Sequence, residues 1–134
     1  IIKYALAKDM NLRHTLIYGN RTWDDVIYRH ALEDLRAQYP HKLKLVHALS
    51  REEGAHDHGP DVHGGRVGEE LLRKYIPDPG AAYVYACGPA LGKWDKIKAK
   101  ETGVAPSPRF MESAVAALDA IGVPKKQVTS ESYG

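Results

Sequence analysis

Short β-forming runs alternate with helix-patterned segments along this chain, and that alternation restricts the fold more than any other feature of the sequence. "HTLIYG" (14–19) is an apolar run closed by glycine, "KLKLVHAL" (42–49) alternates, "AAYVYAC" (81–87) is built of β-formers and small residues, and "KQVTSESYG" is a last short strand. Helical patterns lie between them. Ile1, Ile2, Ala5, Leu6 and Met10 share helical spacing across residues 1–11. In "TWDDVIYRHALEDLRAQYP" Thr22 can cap, Asp24 and Asp25 suit a positive first turn, and Val26, Ile27, His30, Ala31 and Leu35 form an apolar face that ends before Pro40. "RVGEELLRKYI" (66–76), a segment helical from about residue 89 through "GKWDKIKAKE", and "FMESAVAALDAIG" (110–122) with Gly122 as C-cap complete the set. "SREEGAHDHGPDVHGG" and "GVAPSPR" read as loops. Strands alternating with helices predict an α/β fold with a parallel sheet and helices on both faces.

In such sheets ligands bind beyond the carboxyl ends of the strands. Those ends are Tyr18-Gly19-Asn20-Arg21, Ser50-Arg51-Glu52, Ala86-Cys87-Gly88-Pro89 and Ser130-Glu131-Ser132-Tyr133. The 134 residues suit one domain with a real core. With 19 basic and 17 acidic side chains, charge does not announce a nucleic-acid partner, and the aromatics are not interleaved with basic residues. No apolar run approaches the roughly 18 residues needed to span a bilayer, so no membrane partner is expected. One cysteine cannot form an internal disulfide, and the cytoplasm is the default location. The sequence opens without Met on helix-like residues, which predicts a fragment of a longer chain.

The arginines at the rim are the first candidates. Arg21 and Arg51 each follow a strand's carboxyl end, and Arg66 follows a glycine pair at a helix start. Guanidiniums gathered on one rim bind phosphate through planar forks of donors; singly, each is an ordinary solvated side chain. Tyr28 and Arg29 are placed to reach the same region. "GGRVG" (64–68) is a weak match to a phosphate loop, because a polar stretch of about 15 residues separates it from the strand upstream, and helix entry is the better reading. His56, His58 and His63 share a loop with Asp57 and Asp61, but ligands need a rigid second shell that such a loop does not promise, so no metal site is expected. Cys87 stands where "YVYACGPALG" breaks from strand into a turn at Gly88-Pro89. A following helix dipole would favour a thiolate, yet no histidine or second cysteine is near in sequence, so a covalent role is the weaker reading.

"CGPA" at a strand's end, "LIYGNRT…D.IYR..LEDL" before it, "SREE…GRVGEELL", and "IGVPKKQVTSESYG" as the closing segment resemble, in that order, the NAD(P)-binding domain of the ferredoxin–NADP reductase superfamily. The resemblance covers nearly the whole chain. It implies a Rossmann-like, doubly wound, three-layer α/β/α domain over residues 1–134, joined in the intact protein to an FAD-binding barrel. It further implies electron transfer between a nicotinamide and flavin, then to ferredoxin, flavodoxin or another one-electron carrier, or to an oxygenase. By position Cys87, Gly88 and Pro89 resemble the motif beside the nicotinamide ring. Tyr133 resembles the carboxyl-terminal aromatic near the flavin, with Glu131 as its polar neighbour. Asn20, Arg21, Tyr28, Arg51 and Arg66 resemble residues at the adenosine end. No acidic residue follows Tyr18-Gly19 immediately, as NAD preference would favour. The expected cofactors are therefore NADP(H) rather than NAD(H), together with FAD, although Asp24 and Asp25 keep NAD open.

Two departures stand out. The superfamily's first strand and glycine-rich turn have no counterpart here, and "GKWDKIKAKETGVAPSPRF" (92–110) is longer than the resemblance leads one to expect. Lys93, Lys96, Lys98 and Lys100 in that segment could face an acidic electron carrier or simply be solvated. The rival readings are a non-catalytic, flavodoxin-like α/β binding module and a cysteine-nucleophile enzyme.

Overall fold

A computed structural model of the chain describes residues 6–8 and 12–133. Residues 6–8 are helical, with Leu6 fully buried; the remainder of the helix expected over 1–11 lies outside the described residues. The chain divides into two compact units, Ile1–Arg66 and Val67–Gly134.

In the first unit, β1 (His14–Asn20), β2 (Leu43–Leu49) and β3 (Val62–Gly64) form a sheet in the order β1-β2-β3, with both pairings parallel. β2 is flanked on both edges, and its composition answers to that position. All of its residues except Lys44 are buried, so it is a strand covered on both faces rather than the half-exposed one that alternation suggests. Burying side chains such as Leu45, Val46 and Leu49 stabilises the unit by about 1.5–3 kcal/mol each. A smaller cluster of Val26, Leu49, Ala55 and Val62, with Tyr18 and Trp23 packed on it, closes the carboxyl end of this sheet.

Two sequence expectations change in this unit. The helix expected from Thr22 begins only at Arg29: α1 spans Arg29–Gln38, preceded by a 3-10 turn at Trp23–Asp25 and an extended Val26. Thr22 and Asp25 cap that short turn, the Thr22 N–H and hydroxyl both donating to Asp25 Oδ2 at 3.1 and 2.9 Å. Tyr28, the N-cap of α1, has φ 63°. A non-glycine in the left-handed region cannot continue a helix, which is why the periodicity upstream does not propagate. Ile27, His30 and Ala31 are consequently exposed, Leu32 and Leu35 are half-buried, and α1 rests on β2. The polar loop after β2 holds a second surprise, a 3-10 turn at Ala55–His58 followed by β3.

The second unit contains α2 (Glu69–Tyr75), β4 (Val84–Pro89), α3 (Lys93–Thr102), α4 (Phe110–Ile121) and β5 (Val128–Tyr133). β4 and β5 pair in parallel, from Val84 opposite Val128 to Pro89 opposite Tyr133. α4 buries Met111, Ala114, Ala117, Leu118 and Ile121, packs on β4 and α2, and ends at Gly122, whose φ of 94° suits glycine. α2 starts at Glu69 rather than at Arg66, with Gly68 as its N-cap. The Gln127 side chain donates to the Gly80 and Ala82 carbonyls at 3.0 and 2.7 Å, fixing the start of β5 beside the approach to β4. The strand pairings of both units are parallel, as the alternation predicts. No helix among the described residues is long and apolar enough to cross a membrane.

Candidate functional site

Each unit presents its own set of candidate residues. In the first, parallel pairing brings the carboxyl ends of three strands to one rim. Arg21 directly follows β1, Arg51 stands two residues beyond β2, and Arg66 two residues beyond β3. The pairing continues past the strands: Ser50 N–H donates to the Asn20 carbonyl at 3.0 Å, Arg51 N–H to the Arg21 carbonyl at 2.8 Å, and Gly65 N–H to the Leu49 carbonyl at 2.9 Å. All three arginines are exposed, and none forms an ion pair among the described residues. Their guanidinium donors are open to an anion. The Asn20 side-chain nitrogen, at the tip of β1, is buried without a hydrogen-bond partner among the described residues. A buried donor left unsatisfied is costly, and a ligand acceptor at this rim would relieve it.

Not every expected residue joins that rim. Tyr28 is 75% exposed at the start of α1. Arg29 is taken up by Trp23, donating to its carbonyl at 3.0 Å with the guanidinium carbon 4.9 Å from the indole centroid. Trp23 organises a polar group that sequence reasoning did not find. Its ring stacks on His58 at 4.4 Å and meets buried His47 edge-on at 5.1 Å, while its backbone N–H donates to Glu52 Oε2 at 2.7 Å. Glu52 also meets His58 at 3.2 Å. The Trp23 N–H, and secondarily His58, hold the Glu52 carboxyl below the usual carboxylate range. His58 of the polar loop is thus a ring in a stack. Among the described residues no group of three or more His, Cys, Asp or Glu side chains could hold a metal ion.

In the second unit, strand alternation puts Tyr85 and Cys87 on one side of β4, and the register sets Cys87 beside Glu131 and Pro89 beside Tyr133. This side is open: Cys87 and Glu131 are exposed, Tyr85 is 45% exposed and Tyr133 64%. Pairing therefore brings Cys87, Glu131 and Tyr133 together on one face, as three neighbours at the carboxyl end of two parallel strands. Tyr85 adds a fourth polar group. Its hydroxyl bonds Glu131, and that carboxylate pushes the phenol's pKa up. The signal for Tyr85 was its two-residue spacing from Cys87.

The expected turn at Gly88-Pro89 is absent, because β4 runs on through Pro89. Pro89 closes the strand, and the next N–H, that of Ala90, donates to the Tyr133 carbonyl at 2.8 Å. Gly88 points the other way, under Phe110, where a Cβ would fall 2.2 Å from the ring's Cδ1.

The profile of the oxidoreductase NAD-binding domain family matches residues 1–92. The chain is 30% identical over 141 aligned positions to a component of the 1,2-phenylacetyl-CoA epoxidase of Escherichia coli (strain K12), covering 99% of this chain and 32% of that protein. It is 28% identical to NADH-cytochrome b5 reductase 2 of Aspergillus oryzae (strain ATCC 42149 / RIB 40) over 90% of this chain and 35% of the relative. It is also 34% identical to nitrate reductase [NADH] 1 of Zea mays over 63% of this chain and 14% of that protein. The chain thus spans about a third or less of these relatives.

Proposed function

The chain belongs to the oxidoreductase NAD-binding domain family, and from that premise we propose that it is the pyridine-nucleotide-binding part of an FAD-dependent oxidoreductase. That protein would pass electrons from NAD(P)H through flavin to a one-electron carrier or an oxygenase. The observation that carries the reading is the parallel register placing Cys87 beside Glu131 and Pro89 beside Tyr133 on an open face. The bound cofactors supply hydride exchange between nicotinamide C4 and flavin N5. The chain's own residues bind and orient. Cys87 offers a small side chain where a ring must lie close to a strand, and Glu131, tethered by Tyr85, provides a fixed acceptor at its edge. Tyr133 presents an aromatic ring to the same space. Arg21, Arg51, Arg66 and the unsatisfied Asn20 amide suit the phosphates and ribose of the nucleotide.

The choice of NADP(H) over NAD(H) rests on the open guanidiniums of Arg21 and Arg51, which suit a 2′-phosphate. The names of the cytochrome b5 and nitrate reductases specify NADH and weigh the other way. Ferredoxin and flavodoxin are proposed as acceptors. Cytochrome b5, named in one relative, is a further carrier of the same class.

Titration of the chain with NADPH and with NADH tests the reading. Saturable NADPH binding is expected, weakened about tenfold by Arg21→Ala or Arg51→Ala and with a much smaller effect on NADH, as loss of a charge-assisted hydrogen bond predicts. Failure to bind either nucleotide would favour a flavodoxin-like binding module. Equal arginine effects on both nucleotides would move the specificity to NADH.

A further inference from the structure

The pairing of β1 with β2 does not stop where the strands do. Partners across the two strands are 29 positions apart, from His14 opposite Leu43 to Asn20 opposite Leu49, and Trp23 and Glu52 keep that offset. Past the strands the Arg51 N–H still donates to the Arg21 carbonyl at 2.8 Å. By Trp23 the main chain has entered its 3-10 turn, and the Glu52 side chain takes over the pairing, Oε2 accepting from the Trp23 backbone N–H at 2.7 Å. The two bonds close a ring of chain through Arg21, Thr22, Trp23, Glu52 and Arg51.

The other oxygen of Glu52 is fixed as well. Oε1 meets His58 Nε2 at 3.2 Å, and the His58 ring lies on the Trp23 ring with 9° between their planes. Arg29 holds the far side of Trp23, donating to its carbonyl at 3.0 Å. One carboxylate thus ties the exit of β1 to the exit of β2 and to the turn at Ala55–His58. The acid next to Arg51 in sequence is spent on these bonds rather than on a guanidinium. Of the other acids nearby, Asp25 is held by Thr22, while Asp24 and Glu53 are exposed and form no ion pair among the described residues.

We propose that Glu52 is a positioning residue for the phosphate rim: it sets the separation of Arg21 and Arg51, and through it the preference for a nucleotide with a phosphate on its adenosine ribose. This deepens the reductase reading and rests on it. A phosphate is held best by donor forks already spaced to it, because ordering two long side chains during binding costs affinity. A tie made by a carboxylate inside a basic rim also has a sign that separates position from charge. Removing a negative charge near an anion site strengthens anion binding, whereas loosening the site weakens it.

The test titrates the 134-residue chain and its variants with NADPH and NADH by calorimetry, with urea midpoints measured alongside. Glu52→Gln keeps an acceptor for the Trp23 N–H and loses the charge, so its NADPH affinity should equal or exceed the parent's. Glu52→Asp keeps the charge but is one methylene too short to reach, and Glu52→Ala removes both. Each of these two should weaken NADPH about tenfold while NADH changes by less than about twofold. His58→Leu, which frees only Oε1, should fall between. Should Glu52→Ala not fold, the contrast of Gln with Asp carries the test. Undiminished NADPH affinity in Glu52→Asp, tighter binding in Glu52→Ala, or equal losses for the two nucleotides would overturn the proposal. So would a lower urea midpoint with NADPH affinity unchanged, which is the mark of a fold contact. A parent chain that binds neither nucleotide would instead sink the reductase reading, and this proposal with it.

Discussion

Gly88 lies directly against Phe110, so close that a Cβ on the glycine would fall 2.2 Å from Cδ1 and 2.9 Å from Cε1 of the ring. The backbone of β4 and the first residue of α4 can meet only because position 88 has no side chain. A glycine that resemblance assigns to ring access thus also sets the helix-to-strand distance.

Gly88→Ala should therefore destabilise the chain by overpacking, about 1–3 kcal/mol, seen as a lower urea midpoint with an unchanged slope. Adding Phe110→Leu should recover part of the loss, because the two sites share one contact. A Gly88→Ala chain as stable as the parent would mean that Phe110 moves aside at no cost.

His47 gives a pH dependence. It is 2% exposed, and neither ring nitrogen has a hydrogen-bond partner among the described residues. Burial holds its pKa below the usual value of about 6.5; Glu33 opposes that shift and Arg29 adds to it. The folded chain therefore keeps His47 neutral in a window below about 6.5 where the unfolded chain is already protonated. Stability should be fully present above that value and fall as pH drops towards 5. His47→Leu should flatten this acid slope, and should be neutral or stabilising at pH 7, since it removes an unsatisfied buried group. Urea midpoints at pH 7.5 and 5.5 read both effects, and an unchanged slope in the variant would refute the assignment.

How much of this was legible follows from what each residue's neighbours decide. β1, β2 and α4 could be read within two residues from local pattern alone, although the alternation of β2 did not show that it is buried on both faces. β3 could not: three residues carry no periodicity, and Val62–Gly64 becomes a strand only because the edge of β2 offers it partners. The late start of α1 is likewise tertiary, as Glu52, 29 residues away, takes the Trp23 N–H and Arg29 takes its carbonyl. Of the site, the rim arginines and the Cys87–Glu131–Tyr133 face were readable from strand ends. Arg66 reaches the end of a third strand only through the unforeseen β3. Tyr28 and the Trp23 stack were not readable, because a left-handed tyrosine and a ring packed on a loop histidine have no local signature.

Glu112 should act as a clasp. The Leu91 N–H first of all, with the Arg109 N–H, keeps its carboxyl below the usual range, so its contribution is present above an ordinary carboxylate pKa and lost as pH falls through the lowered one. Glu112→Ala should raise amide exchange rates at Leu91, Arg109 and throughout α3, while exchange in β4 changes much less. Equal protection of α3 in both chains would show that the segment between β4 and α4 is held by Arg109 and Asp95 alone.

Cys87 separates a ring neighbour from a nucleophile. It is exposed on the same face as Glu131 and Tyr133, and no histidine lies opposite it in the register. If its role is to be small, Cys87→Ala and Cys87→Ser should keep NADPH affinity within about twofold. Cys87→Phe should weaken NADPH severalfold yet leave 2′,5′-ADP, which lacks the nicotinamide, unaffected. The comparison of the two ligands is what isolates the ring, because both carry the phosphates that the arginines would hold. A Cys87→Ala chain that loses NADPH while Cys87→Phe retains it would be incompatible with a steric role. Parallel loss of both ligands in Cys87→Phe would place the effect in the fold rather than beside the nicotinamide.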